Sequence, residues 1–255
     1  MENSPKETNA DVGRDIVQKV LAGYNLNASP IEESSHQTPD LELHVGSQRI
    51  LIEVKSKEDD NQLRALLDSH AGATLQYKLS TIETVLKKAW HQLKKFPERK
   101  EDDFTVIWII GLVPGLTFLM RPAAMSVLYG AQPIETRTND GALCDKDCYF
   151  FNNSFFFRRK DLDAVVLHDE NRVILCLNPF SNRRHEFHRG KFAQLFREYL
   201  FTLDPEGMEQ RGECYIADCS ISRNDINGVV GFLKAKYGLS DITIYQFGLF
   251  NCPVD

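Results

Sequence analysis

The hydrophobic positions of this chain fall first into a helical stripe. Val12, Ile16 and Val20 recur at four-residue spacing, with Val17, Leu21 and Tyr24 broadening the face, which predicts an amphipathic helix from Asp11 to about Ala22. Thr8 and Asp11 have the spacing of a capping box, and Gly23 is the stop. Two short alternating runs follow, Asp40 to Val45 and Arg49 to Lys55, separated by Gly46 and Ser47, and alternation around a Gly-first pair predicts a β-hairpin. Residues 57–79 are polar, with a short helix around Leu63 to Leu67, and read as an insertion. A second long helix is predicted from Ser80 to Phe96, with Ser80 and Glu83 as a capping box and Pro97 as its end. The run from Phe104 to Val113 is almost continuously apolar and rich in β-branched residues, as in a central strand covered on both faces. The order to this point is helix, strand, strand, strand, helix, strand.

The second half has weaker periodicity. Residues 163–180 predict a hairpin turned at Asp169 to Asn171, Lys191 to Leu203 a helix, Asp225 to Tyr237 another helix, and Ile242 to Phe247 a strand. The aromatic run Phe150 to Phe157 reads as core or as a partner surface. No repeat at solenoid periods is present.

Composition narrows the class. A chain of 255 residues, 42% hydrophobic, buries a core without disulfide staples. The first fifteen residues have neither a basic nor an apolar segment of the kind that begins a secretory signal. The longest uncharged stretch, Phe104 to Met120, is 17 residues interrupted by Pro114 and Gly115, too short for a membrane span. The six cysteines read as reduced thiols of a cytoplasmic protein. A structural zinc on Cys144, Cys148, Cys214 and Cys219 is the competing reading, although neither pair has the two-residue knuckle spacing. No P-loop, dinucleotide glycine motif, HExxH or serine nucleophile elbow occurs.

The hairpin carries the candidate chemistry. With Gly46 and Ser47 as the turn, Val45 opposes Gln48, His44 opposes Arg49, Glu42 opposes Leu51, and Asp40 opposes Glu53. Period-two alternation puts Asp40, Glu42, Glu53 and Lys55 on one, ionic face, and Leu41, Leu43, Val45, Ile50, Ile52 and Val54 on an apolar one. Opposed carboxylates repel and call for a cation. Their spacing suits shared oxygen ligation of Mg²⁺. The plainer alternative is that Glu53 and Lys55 neutralise each other at a solvated sheet face.

Pro39-Asp40, a twelve-residue spacer and Glu53-Val54-Lys55 at the end of an apolar strand resemble the PD-(D/E)xK nuclease superfamily. The element order over residues 10–113 resembles that family's αβββαβ core, and residues 114–255 are not covered. The resemblance implies an α/β restriction-endonuclease-like fold with a mixed central sheet flanked by helices, a nuclease core over 1–113, and an α+β region over 114–255, packed on it or forming a small second domain. It further implies that Asp40 and Glu53 bind Mg²⁺, or Mn²⁺ as a substitute, with the Val54 carbonyl, and that Lys55 positions or activates the attacking water. Asp15, on the first helix, is the candidate for the family's additional acid.

Overall net charge is -6, yet Lys78 to Lys100 holds seven Lys or Arg against Glu83 and Glu98. Lys87, Lys88, His91, Lys94 and Lys95 fall on the polar side of the second helix, a strip able to follow a phosphate backbone. Gln92 and Phe96 resemble the Gln-x3-Tyr element of some nucleases in the superfamily. A second basic cluster carries Arg183, Arg184, His185, His188, Arg189 and Lys191. The expected function is a metal-dependent nuclease acting on nucleic acid, in the first place DNA, with a helicase or other partner protein or a second copy of the chain as possible companions. The family's habits add a role in antiviral defence. The alternative is a non-catalytic nucleic-acid-binding or protein-interaction module that retains the fold.

Overall fold

The computed structural model describes residues 9–32, 38–57, 79–111, 116–168, 172–199, 201–222 and 225–244. In chain order the elements are α1 (Asn9–Ala22), β1 (Ala28–Pro30), β2 (Leu41–Val45), β3 (Gln48–Lys57), α2 (Leu79–Lys95), β4 (Phe104–Gly111), α3 (Leu116–Tyr129), β5 (Ala131–Thr138) and β6 (Leu143–Tyr149). They continue as β7 (Ala164–His168), β8 (Val173–Leu177), α4 (Arg184–Arg189), α5 (Lys191–Tyr199), β9 (Phe201–Leu203), α6 (Pro205–Gln210), β10 (Tyr215–Ile216), α7 (Ile226–Tyr237) and β11 (Leu239–Ile244). The chain is mixed α/β, with helices and two mixed sheets. Thr8, the Leu63–Leu67 segment, the Asp169–Asn171 turn, residues 245–247 and Cys252 lie outside the described residues.

The chain divides into two compact units, one of residues 1–59, 84–117 and 161–203, the other of residues 60–83, 118–160 and 204–255. The first unit contains a seven-stranded sheet in the order β1-β2-β3-β4-β7-β8-β9. Its centre is parallel, since β3 pairs β4 and β4 pairs β7 in that sense, and the β1-β2-β3 and β7-β8 pairs are antiparallel. A boundary after residue 113 therefore cuts through this sheet, because residues 164–177 return to its middle. Buried pairing won over chain order: Ala164, Val165, Val166 and Leu167 are all buried and extend the equally buried β4.

One face of this sheet is an apolar core. Leu41, Leu43, Ile50, Ile52, Val54, Trp108 and Val166 meet Val17 and Leu21 of α1 and Phe187, Phe192 and Phe196 from α4 and α5. Each large side chain so buried contributes about 1.5–3 kcal/mol. The helix expected from Lys191 to Leu203 ends at Tyr199, and Phe201 to Leu203 pair instead beside Ile174 to Cys176 of β8.

The second unit contains a four-stranded sheet, β10-β6-β5-β11. Ile134, Cys148 and Phe150 pack with Val229 and Leu233 of α7, a helix capped by the Asp225 carboxylate and closed by Gly238 at φ 66°. Of the aromatic run, Phe150, Phe151, Phe155 and Phe156 are buried core, while Phe157 is exposed. Gly130 has φ +70°, and a Cβ there would stand 2.3 Å from the Phe150 carbonyl oxygen. Gly130→Ala is expected to cost at least about 2 kcal/mol, combining left-handed strain with a backbone clash, and a urea unfolding curve reads the loss directly.

Candidate metal and phosphodiester site

The hairpin folds in the expected register: Val45 faces Gln48, His44 faces Arg49, Glu42 faces Leu51, and Leu41 faces Ile52. Gly46 takes φ 64°, the left-handed geometry that such a turn demands of its first residue. Asp40 is the next residue beyond the ladder. Its Oδ2 accepts a hydrogen bond from the Val54 backbone N–H at 2.8 Å, which fixes the carboxylate at the end of β3. A strand residue directs its N–H and C=O toward the same neighbour, so the Val54 carbonyl also projects to the Asp40 side.

Glu53 is 0% exposed. The face it occupies is thus not the solvated ionic surface that alternation suggests. Leu51, Thr105, Ile107 and Ile109 share it by register and are buried as well. α2 turns Leu86, Ala89 and Leu93 inward. It is tied over this side by Trp90, whose indole N–H donates to Asp161 Oδ1 at 3.0 Å, while Thr105 Oγ1 donates to the Asp161 carbonyl at 2.8 Å. Glu53 and Lys55 do pair, as the plainer alternative had it, but the carboxylate lies on a buried face and not on a solvated one.

The electrostatics are costly. The Glu53 carboxylate has the Lys55 ammonium 2.5 Å from Oε1 and the Asp40 backbone beside it, and these contacts do not make up for its burial. Burial pushes the Glu53 pKa up to about 8, the neighbouring Asp40 charge adds to the rise, and Lys55 only partly offsets it. Two adjacent carboxylates, one of them fully buried, form a donor set suited to a hard divalent cation. Asp40, Glu53 and the Val54 carbonyl fit such an ion. Among the described residues no group of three or more His, Cys, Asp or Glu side chains converges, so side chains would offer such an ion no more than two ligands there.

Asp15 is not brought to this site. It is exposed on α1, and Gly13 of the same helix lies against Val54 and Ser56, on the opposite face of the sheet from Glu53. Helical geometry sends the first helix to the apolar face, and its acid goes with it.

The basic residues divide into two kinds. Lys87, Lys88, His91, Lys94 and Lys95 are exposed on α2, and Gln92 is half-buried. Arg183, by contrast, is a structural cation: it donates to the Glu101 carbonyl at 2.9 Å and pairs with the buried Asp163 carboxylate at 2.8 Å. Arg184 donates to the Pro179 carbonyl at 3.0 Å. Sequence reasoning missed a related ion pair, Arg49 between Glu42 at 2.9 Å and Asp103 at 3.2 Å, although Arg49 shares the alternation parity of Glu53. It also passed over Trp90, which sits within the basic strip.

Zinc is not supported by the thiols among the described residues. Cys144, Cys148, Cys176, Cys214 and Cys219 form no disulfide, and burial pushes the Cys214 thiol up to about 12 while its Sγ–H donates to the Pro205 carbonyl. Among the described residues no helix is long and apolar enough to cross a membrane. Comparison of the chain with protein-family models, curated proteins and solved structures finds no match, so the geometry of Asp40, Glu53 and Lys55 is what speaks for function.

Proposed function

We propose that this chain is a metal-dependent nuclease hydrolysing phosphodiester bonds in nucleic acid, DNA in the first place. The observation that carries the reading is the fully buried Glu53 carboxylate beside Asp40, with the Lys55 ammonium 2.5 Å from its Oε1. A carboxyl buried where its ionised form costs several kcal/mol is one that a fold selected for stability alone has little reason to keep. Asp40, Glu53 and the Val54 carbonyl would hold Mg²⁺ or Mn²⁺. When bound, the ion neutralises phosphate charge and acidifies a water molecule. Lys55, the partly exposed member of the group, orients the attacking water and stabilises the negative charge that develops on the phosphorus oxygens.

Lys55→Ala should abolish cleavage and leave metal binding largely intact, because the ammonium acts on water and phosphate and is not a ligand. Calorimetric Mn²⁺ titration set beside the cleavage rate separates the roles, and full activity of the variant removes Lys55 from the mechanism. The presence of only two acids at the site, among the described residues, is the observation that favours the second reading, a module that binds nucleic acid or protein without cutting. Retained nucleic-acid binding without cleavage in every Mg²⁺ and Mn²⁺ assay would support that module.

The α2 strip supplies grip in either reading. Replacing Lys87, Lys88, Lys94 and Lys95 with Gln should weaken duplex binding across all sequences alike, and each phosphate no longer neutralised should lower the salt slope by about 0.9. Unchanged affinity and slope would make the strip an ordinary solvated face. With a net charge of -6 and a modest basic strip on α2, the chain is also suited to work with a partner, such as a helicase, that delivers the substrate.

A further inference from the structure

Trp90 stands between the buried stripe of α2 and its exposed basic side, and it is half-buried. Its edge is pinned: the indole N–H donates to Asp161 Oδ1 at 3.0 Å. Asp161 is itself anchored, since its carbonyl accepts from Thr105 Oγ1 at 2.8 Å and from Arg99 Nη2 at 3.1 Å. The ring is therefore oriented through its N–H edge. Lys94 Nζ lies 4.7 Å from the ring centroid, and the exposed His91 ring is centred 4.8 Å away at 52°.

We infer that Trp90, with His91 and Lys94, is a base-stacking ledge, and that the nucleic acid gripped by α2 is single-stranded; this rests on the nuclease reading above and specifies its substrate. A strip of cations alone serves a duplex, whose bases are stacked on one another and turned inward. A fixed aromatic ring adds affinity where bases are unpaired and can lie against it, and ammonium groups beside it meet the flanking phosphates. On binding, Lys94 swings on its flexible stem from the ring to a phosphate, and the base takes its place. The other tryptophan, Trp108, has the structural disposition: it is 0% exposed and its indole N–H donates to His168 Nδ1.

Trp90 and Trp108 are the two tryptophans of the chain, so fluorescence quenching by a stacked base reports on Trp90. The full chain, kept from cutting with EDTA, is titrated with a dT20 oligonucleotide and separately with a blunt 20-base-pair duplex, following tryptophan emission and the anisotropy of labelled DNA. The inference expects quenching by dT20 and little by the duplex. It also expects Trp90→Ala to weaken dT20 binding roughly tenfold or more, with duplex binding changed less than about twofold. Trp90→Phe, which keeps a stacking face but cannot donate to Asp161, should retain most of the dT20 affinity if the ring matters, and it covers the case in which the alanine variant fails to fold. Binding of dT20 without quenching, or equal losses on both DNAs in a folded Trp90 variant, overturns the ledge and leaves the nuclease reading standing. Failure of the wild-type chain to bind either DNA or the corresponding single-stranded RNA contradicts the nuclease reading itself.

Discussion

Replacing Glu53 with Gln is expected to stabilise the metal-free protein while removing its activity. The wild-type carboxyl is buried, and its pKa is pushed up to about 8 from 4.5, first by burial and then by Asp40. An acid whose folded pKa is raised contributes most to stability below its unfolded pKa. That contribution declines as pH rises from about 4.5 and is gone above about 8. At pH 8.5 the native state therefore carries a buried anion that the amide removes, a gain of about 2–4 kcal/mol. For a chain of this size that is on the order of 5–10 °C in thermal midpoint. The gap should narrow toward pH 5, where Glu53 is protonated, and Mn²⁺ should close it by stabilising the wild type alone. A Gln variant less stable than wild type at pH 8.5 would mean that the carboxylate makes a structural contact and is not held for a cation.

Cation affinity should depend steeply on pH for the same reason. Below about 8 the Glu53 carboxyl holds a proton that an incoming ion must displace, so affinity falls about tenfold for each unit of acidification. Between pH 8 and pH 6 the dissociation constant for Mn²⁺ should rise roughly 50-fold, with about one proton released per ion bound at the lower pH. Isothermal titration in two buffers of different ionisation enthalpy measures both quantities. An affinity flat across this range, or binding at pH 6 without proton release, would place the ion elsewhere.

The hairpin was readable because two local rules agree on it. Gly46 admits the left-handed turn, and alternation then assigns every side chain to a face, so the closeness of Asp40 to the Glu53–Val54 segment follows without tertiary information. Which face is wet does not follow from alternation. Leu51, with the parity of Glu53 and fully buried, was the local sign that this face is covered. Nonlocal pairing also decided the return of residues 164–177 to the first sheet and the conversion of Phe201 to Leu203 from helix to strand. Charge was the least legible property. Arg183 and Lys94 look alike in a basic segment, yet Arg183 is consumed by Asp163 and backbone carbonyls, while Lys94 is exposed on α2. Asp15 failed for a geometric reason: a helix packed through Gly13 on the Val54 face cannot carry its acid to the Glu53 face.

The most direct test of the account is cleavage of supercoiled plasmid and single-stranded DNA by the purified chain with Mg²⁺, beside the Glu53→Ala variant and an EDTA control. The account predicts hydrolysis by the wild type of at least one of these substrates, lost in EDTA and lost in Glu53→Ala while that variant keeps its fold by circular dichroism. Cleavage that persists undiminished in Glu53→Ala, or no cleavage of DNA or RNA by the wild type with either Mg²⁺ or Mn²⁺, would contradict it.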